Sequence, residues 1–184
     1  MNTTLLKNTK KLTALSKTLA VLIAVVSAVA LPQLLHTIGA VTGLGTALGE
    51  ALLPMHLPVM LVGLLAGPVA GAITGFLSPL ISFSLTQMPS TIILPFMIIE
   101  LCIYGITAGL SRATKMPSVF KVLLIQLSGR IIRAAAIIIA TYGFAYTAVP
   151  IAIIWKSVTI GTAGIIIQLA LLPVLVKVFS KKSL

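Results

Sequence analysis

Very few side chains in this sequence are of the types that acid–base, nucleophilic or metal chemistry requires. The chain has two acids, Glu50 and Glu100, two histidines, His36 and His56, and one cysteine, Cys102. A catalytic nucleophile needs a base within hydrogen-bond reach, and no spacing among these residues indicates such a pair. Neither histidine has the neighbouring ligands that a zinc site needs, and a single cysteine excludes a disulfide framework. The sequence therefore predicts no catalytic residue, no metal site and no bound cofactor.

The acids and cations in the middle of the chain leave two interpretations open. Glu100 and Arg130 fall near the middle of apolar segments, and Arg133 shares a helix face with Arg130 because the two are three residues apart. Charges at membrane depth are costly, so they pair with each other or face a cavity. Glu100 therefore either forms an ion pair with Arg130 or Arg133, or some of these groups line a ligand cavity. With Glu50 and Lys156 included, two acids face three cations, which slightly favours a ligand with a carboxylate or phosphate.

A short stretch before the second apolar segment combines an acid, an imidazole and two prolines. Glu50 and His56 lie close together in it, and Pro54 and Pro58 stiffen the backbone at and before their own positions. A stiff loop with these side chains suits a lid over a ligand. The alternative is a simple connector in which His56 caps a helix.

The overall composition predicts elements that lie in a lipid bilayer. Of 184 residues, 59% are hydrophobic and 8% are charged, whereas soluble domains have about 25% charged residues. Long apolar runs without charge are typical of membrane-spanning helices, because every backbone polar group is then bonded within the helix. A membrane β-barrel would instead alternate apolar and polar residues. The sequence predicts an all-α integral membrane protein, with residues 1–184 forming a single membrane domain.

Six hydrophobic segments are predicted, and glycines interrupt the second and third, which are short for a full span. The predicted segments are residues 12–38, 55–65, 69–85, 92–110, 119–141 and 152–179.

Positive charge indicates the orientation of these six segments. Ten of the thirteen cations lie before or near the start of the first segment, around the loop between the fourth and fifth, and at the chain end: Lys7, Lys10, Lys11, Lys17, Arg112, Lys115, Lys121, Lys177, Lys181 and Lys182. Six spans place all three groups on one side, which the positive-inside rule makes cytoplasmic. We therefore expect a bundle of six transmembrane helices with both termini in the cytoplasm. The net charge of +11 is explained by topology, so nucleic-acid binding is not predicted.

Small residues recur at helical spacing in two places. Ala20, Ala24 and Ala28 are four apart in the first segment, and Gly71 and Gly75 are four apart in the third. Small residues at this spacing let another helix approach closely. The glycine pair indicates helix packing within the chain. The alanine stripe fits either such packing or contact with another membrane protein.

The chain resembles the substrate-binding S components of energy-coupling factor (ECF) transporters, which are bacterial vitamin importers. Length, six spans, cytoplasmic termini and the alanine stripe all agree with this family. The more specific likeness lies in residues 48–59 (LGEALLPMHLPV), 63–68 (GLLAGP), 77–80 (LSPL), 87–89 (QMP), 100–105 (ELCIYG) and 129–130 (GR). These runs are similar to the subgroup that imports pantothenate, hydroxymethylpyrimidine-like or pyridoxine-like precursors, and cobalamin precursors.

The resemblance implies a vitamin pocket in the outer half of the membrane and a set of partner subunits. An S component in the bacterial plasma membrane would bind its vitamin outside, topple in the bilayer, and release it inside on a module of one membrane T component and two ATPases. The alanine stripe, Ala20, Ala24 and Ala28, would contact the T component. ATP hydrolysis would belong to the partners, because the chain has no Walker motif. The implied pocket residues are Glu50, His56, Met88, Glu100, Tyr104, Arg130, Trp155 and Lys156, and Met88 would close over the ligand.

Two functions of other classes are weighed against this one. A stand-alone secondary transporter is commonly built from internal repeats, and the two halves of this chain show no convincing repeat. A small intramembrane enzyme would use Glu50, His56 and Glu100, for which the spacing gives no support. Uptake by this chain without an ATPase would favour the secondary transporter, and turnover by the purified chain would favour the enzyme.

Overall fold

Every regular element in the described ranges of the chain is an α-helix. The computed structural model describes residues 13–146 and 148–182. The helices are α1 (Ala14–Val41), α2 (Ala47–Leu52), α3 (His56–Ala66), α4 (Pro68–Thr86), α5 (Leu94–Ser111), α6 (Ser118–Gly143), α7 (Ala152–Ile160) and α8 (Thr162–Lys182).

Six helical segments within the described residues are long and apolar enough to cross a membrane. They are Ala14–Val41, Ala47–Ala66, Pro68–Thr86, Leu94–Ser111, Ser118–Gly143 and Thr162–Phe179. The predicted all-α membrane fold with six spans is confirmed.

The second and sixth segments differ from the sequence-based prediction. The second span begins at Ala47, because α2 precedes α3 and is separated from it only by a corner at Leu53, whose left-handed backbone (φ 50°) ends α2. The predicted segment 152–179 is divided at Gly161 into the short α7 and the membrane-spanning α8. Apolar composition continues through Gly161, so composition did not indicate the break.

The two ends of the bundle differ in charge. Arg112, after α5, lies beside the α3–α4 turn at Gly67. The Arg112 carbonyl accepts a hydrogen bond from Lys121 Nζ at 3.2 Å. The start of α1 and the end of α8 belong to the same end, which we call the basic end. At the opposite end, Gln33 of α1 donates to Thr86 Oγ1 of α4 at 3.3 Å. The helices thus alternate in direction along the chain, as six spans require.

The closest helix contact in the fold joins α4 to α5. Gly71 and Gly105 face each other so closely that a Cβ on either would collide with the backbone of the other. Gly75 approaches the carbonyl of Leu101 in the same way. The prediction that Gly71 and Gly75 serve helix packing is confirmed.

The alanine stripe of α1 lies against the chain's own helices. Ala28 is fully buried in the core cluster with Val59 and Met60 of α3. Ala24 is buried in a second cluster with Val62 of α3 and residues of α4, while Ala20 is only partly buried beside it. Small side chains at these positions let α1 pack closely against α3 and α4. In this conformation Ala24 is 8% exposed and Ala28 is fully buried, so both pack within the chain. Contact of the stripe with a partner stays a prediction.

Candidate ligand-binding cavity

A cavity of about 460 Å³ opens at the end of the bundle opposite the basic end. Its walls come from the second half of α1, the α2–α3 corner, the segment after α4, and the facing parts of α5, α6 and α7. Small-molecule sites in proteins typically measure about 300–1,000 Å³ and combine apolar walls with a few polar groups. The polar side chains of this cavity include Gln33, His36, Glu50, His56, Ser82, Glu100, Arg133 and Lys156.

Glu100 provides the buried charge of the cavity. Its side chain is 1% exposed, and its Oε2 accepts a hydrogen bond from Arg133 Nη1 at 2.8 Å. Tyr104 donates its hydroxyl to the other oxygen, Oε1, at 2.9 Å. Of the two arginines that the sequence offered as partners, Arg133 forms the ion pair. Both oxygens of this carboxylate are therefore satisfied by the protein.

A glycine on α6 brings Arg133 to Glu100. A Cβ on Gly129 would collide with the Tyr104 ring and would lie 3.0 Å from the Glu100 carbonyl oxygen. Because Gly129 lets α6 approach α5 here, Arg133, four residues later on the same face of α6, reaches the Glu100 carboxylate. Arg130, one residue beyond Gly129, is turned toward α7 instead and donates to the Ser157 carbonyl at 3.4 Å.

Two imidazoles, those of His36 and His56, line the cavity. His56 begins α3, packs on the Tyr104 ring with centroids 5.4 Å apart, and has Nε2 at 4.0 Å from Glu100 Oε2. His36 packs over Gly49, where a Cβ would lie 2.6 Å from the imidazole Cε1. Nδ1 of each histidine is buried and has no hydrogen-bond partner in the described part of the chain. Buried polar atoms usually have partners, so these two nitrogens are unsatisfied in this conformation.

The rim of the cavity carries one acid and one cation. Glu50 of α2 is exposed and accepts a hydrogen bond from the Thr46 hydroxyl at 3.0 Å. Lys156 of α7 is exposed and also lines the cavity. Met88 and Pro89, which are joined by a cis peptide bond, line the cavity between α4 and α5. The structure thus brings Glu50, His56, Met88, Glu100 and Lys156 of the predicted set into one cavity.

Three residues of the predicted pocket set lie outside the walls of this cavity. Tyr104 lies beneath it, 1% exposed, and acts on it only through Glu100. Arg130 lines a separate, smaller cavity between α6 and α7. Trp155 is 73% exposed on the outer face of α7 and is not part of the cavity wall. On a short helix, Trp155 and Lys156 point in different directions, and only Lys156 faces the cavity.

Sequence reasoning missed a pair of buried amides that support the cavity from below. Gln126 of α6 donates to Gln168 Oε1 of α8 at 3.1 Å. Gln168 in turn donates to the carbonyl of Leu53, at the α2–α3 corner, also at 3.1 Å. Both glutamines are buried, at 5% and 2% exposure. Their sequence signal was the presence of a glutamine inside an otherwise apolar segment, because a polar side chain in a membrane needs a hydrogen-bond partner.

A comparison with protein-family models decides the family. The model of the ECF transporter substrate-specific component matches residues 11–176. The chain belongs to this family. It is thus a multi-pass membrane protein and the substrate-binding subunit of an ECF transporter, a transport component rather than an enzyme. Such a subunit works with a T component and ATPase module on a small-molecule substrate.

The comparisons with curated proteins and with solved structures found no match for this ECF substrate-specific component.

Proposed function

We propose that this ECF S component captures a small water-soluble B vitamin or vitamin precursor outside a bacterial cell and releases it into the cytoplasm. The observation that carries the proposal is the 460 Å³ cavity around Glu100, at the end of the bundle away from the basic loops. The partners would be one membrane T component and two ATPases, and transport would proceed by toppling of the whole bundle in the plasma membrane.

The direction of capture follows from charge. Lys17, Arg112, Lys115 and Lys177 all belong to the basic end, which the positive-inside rule assigns to the cytoplasm. The cavity then opens to the outside of the cell. A substrate would enter past Glu50 and Lys156 at the rim.

The volume and walls of the cavity suit a ligand with one ring or a short chain. Apolar contact would come from Met55, Met88, Met97 and Ile153, and unbranched methionine side chains adapt to flat rings. A cobalamin precursor, with a macrocycle of four five-membered rings, is much larger than the other candidates and suits this volume least.

Two ligand chemistries match the polar groups. A neutral hydroxymethylpyrimidine-like or pyridoxine-like alcohol would pair its ring nitrogen and hydroxyls with the imidazoles of His36 and His56 and with Glu50. Pantothenate would place its carboxylate near Lys156, whose charge is unpaired in the described structure. Glu100 would not bind a ligand cation in either case, because Arg133 already neutralises it.

Purification in detergent followed by mass spectrometry of bound small molecules tests the capture of a vitamin. Calorimetric titration with pantothenate, pyridoxine, hydroxymethylpyrimidine and riboflavin should then give one vitamin bound per chain with a Kd below about 1 µM. Uptake in cells should also require the T component and ATPases. Uptake by this chain alone would point to a secondary transporter, and chemical turnover of a bound molecule would point to an enzyme.

A further inference from the structure

The amide side chain of Gln33 lies in the α1 wall of the larger cavity, and none of the vitamin contacts described above uses it. Gln33 comes one turn before His36 and follows the buried Pro32, and both of these residues also line the cavity. Gln33 is partly buried, whereas its neighbour Leu34 is 60% exposed on the outer face of α1. The Gln33 amide is therefore turned inward, toward α4 and the cavity.

The hydroxyl of Thr86, in the last turn of α4, makes three hydrogen bonds at once. It donates to the Ser82 carbonyl at 2.8 Å, and it accepts from Gln33 Nε2 at 3.3 Å and from the Met88 backbone N–H at 3.3 Å. A threonine hydroxyl has one hydrogen and two lone pairs, so these bonds use all three. The roles of two partners are fixed, because a carbonyl can only accept and a backbone N–H can only donate.

This arrangement decides which end of the Gln33 amide faces a ligand. The hydroxyl hydrogen of Thr86 is committed to Ser82 in the shortest of the three bonds, so toward Gln33 the hydroxyl oxygen can only accept. Gln33 must therefore present its NH2 group to Thr86, which is not part of the cavity wall. The other arm of the planar amide, Oε1, keeps accessible surface and has no hydrogen-bond partner in residues 13–146 and 148–182. A hydrogen-bond acceptor of fixed direction is left for the cavity.

We propose that Gln33 Oε1 is a specificity-determining contact of the larger cavity and accepts a hydrogen bond from a hydroxyl or amino group of the substrate. Thr86 is the positioning residue that holds the amide in this orientation. The inference rests on the proposed function, because it concerns the same cavity, and it narrows the substrate to vitamins that carry an O–H or N–H group at this wall.

The bond to Thr86 is what makes Gln33 selective. A glutamine amide without a fixed partner can rotate and offer either its NH2 group or its oxygen to a ligand. Because Thr86 removes that choice, a substrate with an acceptor at this place leaves its own acceptor and Gln33 Oε1 both unpaired. Sites built to bind a substrate hydroxyl reject analogues that lack it for this reason.

Calorimetry with the vitamin that binds the wild type, from pantothenate, pyridoxine, hydroxymethylpyrimidine and riboflavin, tests the contact. Gln33→Met keeps the length of the side chain but removes its polar atoms, and it should raise the Kd about tenfold, the effect of one lost hydrogen bond. Thr37→Val, which removes an exposed hydroxyl one turn further along α1, is the control and should leave the Kd unchanged. A Gln33→Met protein with fewer vitamins bound per chain but an unchanged Kd would show lost folding alone and overturn the contact.

Variants of Thr86 test whether this residue acts through Gln33. Thr86→Val removes the hydroxyl and should weaken binding severalfold in the wild type but not further in Gln33→Met. Thr86→Ser keeps the hydroxyl and should retain more affinity than Thr86→Val. An equal effect of Thr86→Val in both backgrounds would mean that Thr86 acts through the Met88 segment, and the proposed positioning of Gln33 would be overturned.

Analogues of the vitamin identify the donor. Replacement of one hydroxyl or amino group of the vitamin by hydrogen should weaken binding to the wild type about tenfold, and this penalty should vanish in Gln33→Met. The contact is overturned, while vitamin capture stands, if every analogue loses the same affinity in both proteins or if Gln33→Met binds the vitamin like the wild type. A wild type that binds none of the four vitamins overturns the proposed function and this contact together.

Discussion

Glu100 is the residue on which the polar contacts of the larger cavity converge. Arg133 lies 2.8 Å from its Oε2, the Tyr104 hydroxyl 2.9 Å from its Oε1, and His56 Nε2 4.0 Å from its Oε2. A fully buried carboxylate in a membrane helix depends on these partners. Its hydrogen bonds hold Arg133 at the wall of the cavity and Tyr104 beneath it.

Removal of Arg133 should destabilise the protein strongly. Arg133→Met leaves the Glu100 carboxylate buried and unpaired, which should cost about 3–5 kcal/mol of the free energy of unfolding. The double variant Glu100→Gln with Arg133→Met should recover much of that loss, because no unpaired charge then remains. Thermal unfolding in detergent, analysed as a double-mutant cycle, measures the coupling. A cycle without coupling, or a larger coupling between Glu100 and Arg130, would contradict the assigned ion pair.

His56 should contact the ligand, whereas Trp155 should not. His56→Phe removes the imidazole nitrogens from the cavity wall and should raise the vitamin Kd about tenfold, the effect of one lost hydrogen bond in a buried site. Trp155→Phe should leave the Kd within about twofold, because the side chain is 73% exposed outside the cavity and contributes no buried contact. Calorimetry on both variants measures the difference. Equal effects would mean that α7 has a different orientation in the bound state.

The sequence was sufficient to select Glu100, Arg130 and Arg133 but not to choose between the two arginines. Ionisable residues inside apolar segments are conspicuous, and their cost predicts pairing. Residues three apart on a helix share a face, however, so spacing could not separate Arg130 from Arg133. The close contact of Gly129 with Tyr104 decides between them, and a contact between distant segments is not visible in the local pattern.

Among the elements, the α2–α3 corner depends on α8 for its position. Gln168 donates to the Leu53 carbonyl at 3.1 Å, and the absence of a side chain at Gly164 lets α8 approach the carbonyls of Ala51 and Leu52. His56, three residues after Leu53, begins α3 and faces the cavity. The buried amide of Gln168 therefore sets the position of a residue that it does not touch.

Replacement of Gln168 should weaken vitamin binding because it loosens the α2–α3 corner that positions His56. Gln168→Leu leaves the Gln126 amide without its partner and removes one of two hydrogen bonds to the Leu53 carbonyl, which also accepts the His56 backbone N–H. We expect about a tenfold increase in Kd with a loss of about 1–3 kcal/mol in stability. Ser84→Ala, which removes an exposed hydroxyl from α4, is the control and should change neither quantity. A Gln168→Leu protein of reduced stability but unchanged Kd would show that the amide supports the fold alone.

The glycines at the contact of α4 with α5 should not tolerate replacement by a residue with a side chain. Gly105→Ala places a methyl group against the Gly71 backbone and should cost about 1–3 kcal/mol, as overpacking does in protein cores. Gly143→Ala at the end of α6 meets only Ile139 Cγ2, at 3.8 Å, and should be neutral. Unfolding temperatures of the two variants measure the contrast, and a neutral Gly105→Ala would contradict the packing described here.

Element types were predictable because apolar length and glycine spacing are local properties. The same properties failed at α2 and at the α7–α8 break. Leu53 and Gly161 both interrupt helices inside apolar stretches, and the two positions pack against each other. A Cβ added at Gly161 would lie 2.9 Å from Leu53 Cδ1.

The whole molecule is a bundle with few aromatic anchors. The sequence has six Phe, three Tyr and one Trp, and aromatic side chains fix membrane proteins at both interfaces. Leu15 and Val41, near the two ends of α1, are 71% and 84% exposed. A smooth apolar exterior lowers the cost of tilting, which toppling would require.

Added anchors should therefore slow transport without weakening capture. A Leu15→Trp and Val41→Trp pair should reduce ATP-dependent uptake severalfold and leave the vitamin Kd unchanged, because neither residue lines the cavity. Leu127→Trp, exposed near the middle of α6, adds an aromatic ring away from both interfaces and is the control. Unchanged uptake in the anchored variant would argue against toppling.

A calorimetric titration of the identified vitamin into the purified chain and into a cavity-blocking variant tests the central claim most directly. Ser90 lines the cavity, whereas its exposed neighbour Thr91 does not. The cavity account predicts one vitamin bound per chain in the wild type and in Thr91→Trp, and loss of binding in a correctly folded Ser90→Trp. Equal binding by Ser90→Trp and Thr91→Trp, or no vitamin bound by the wild type, would contradict it.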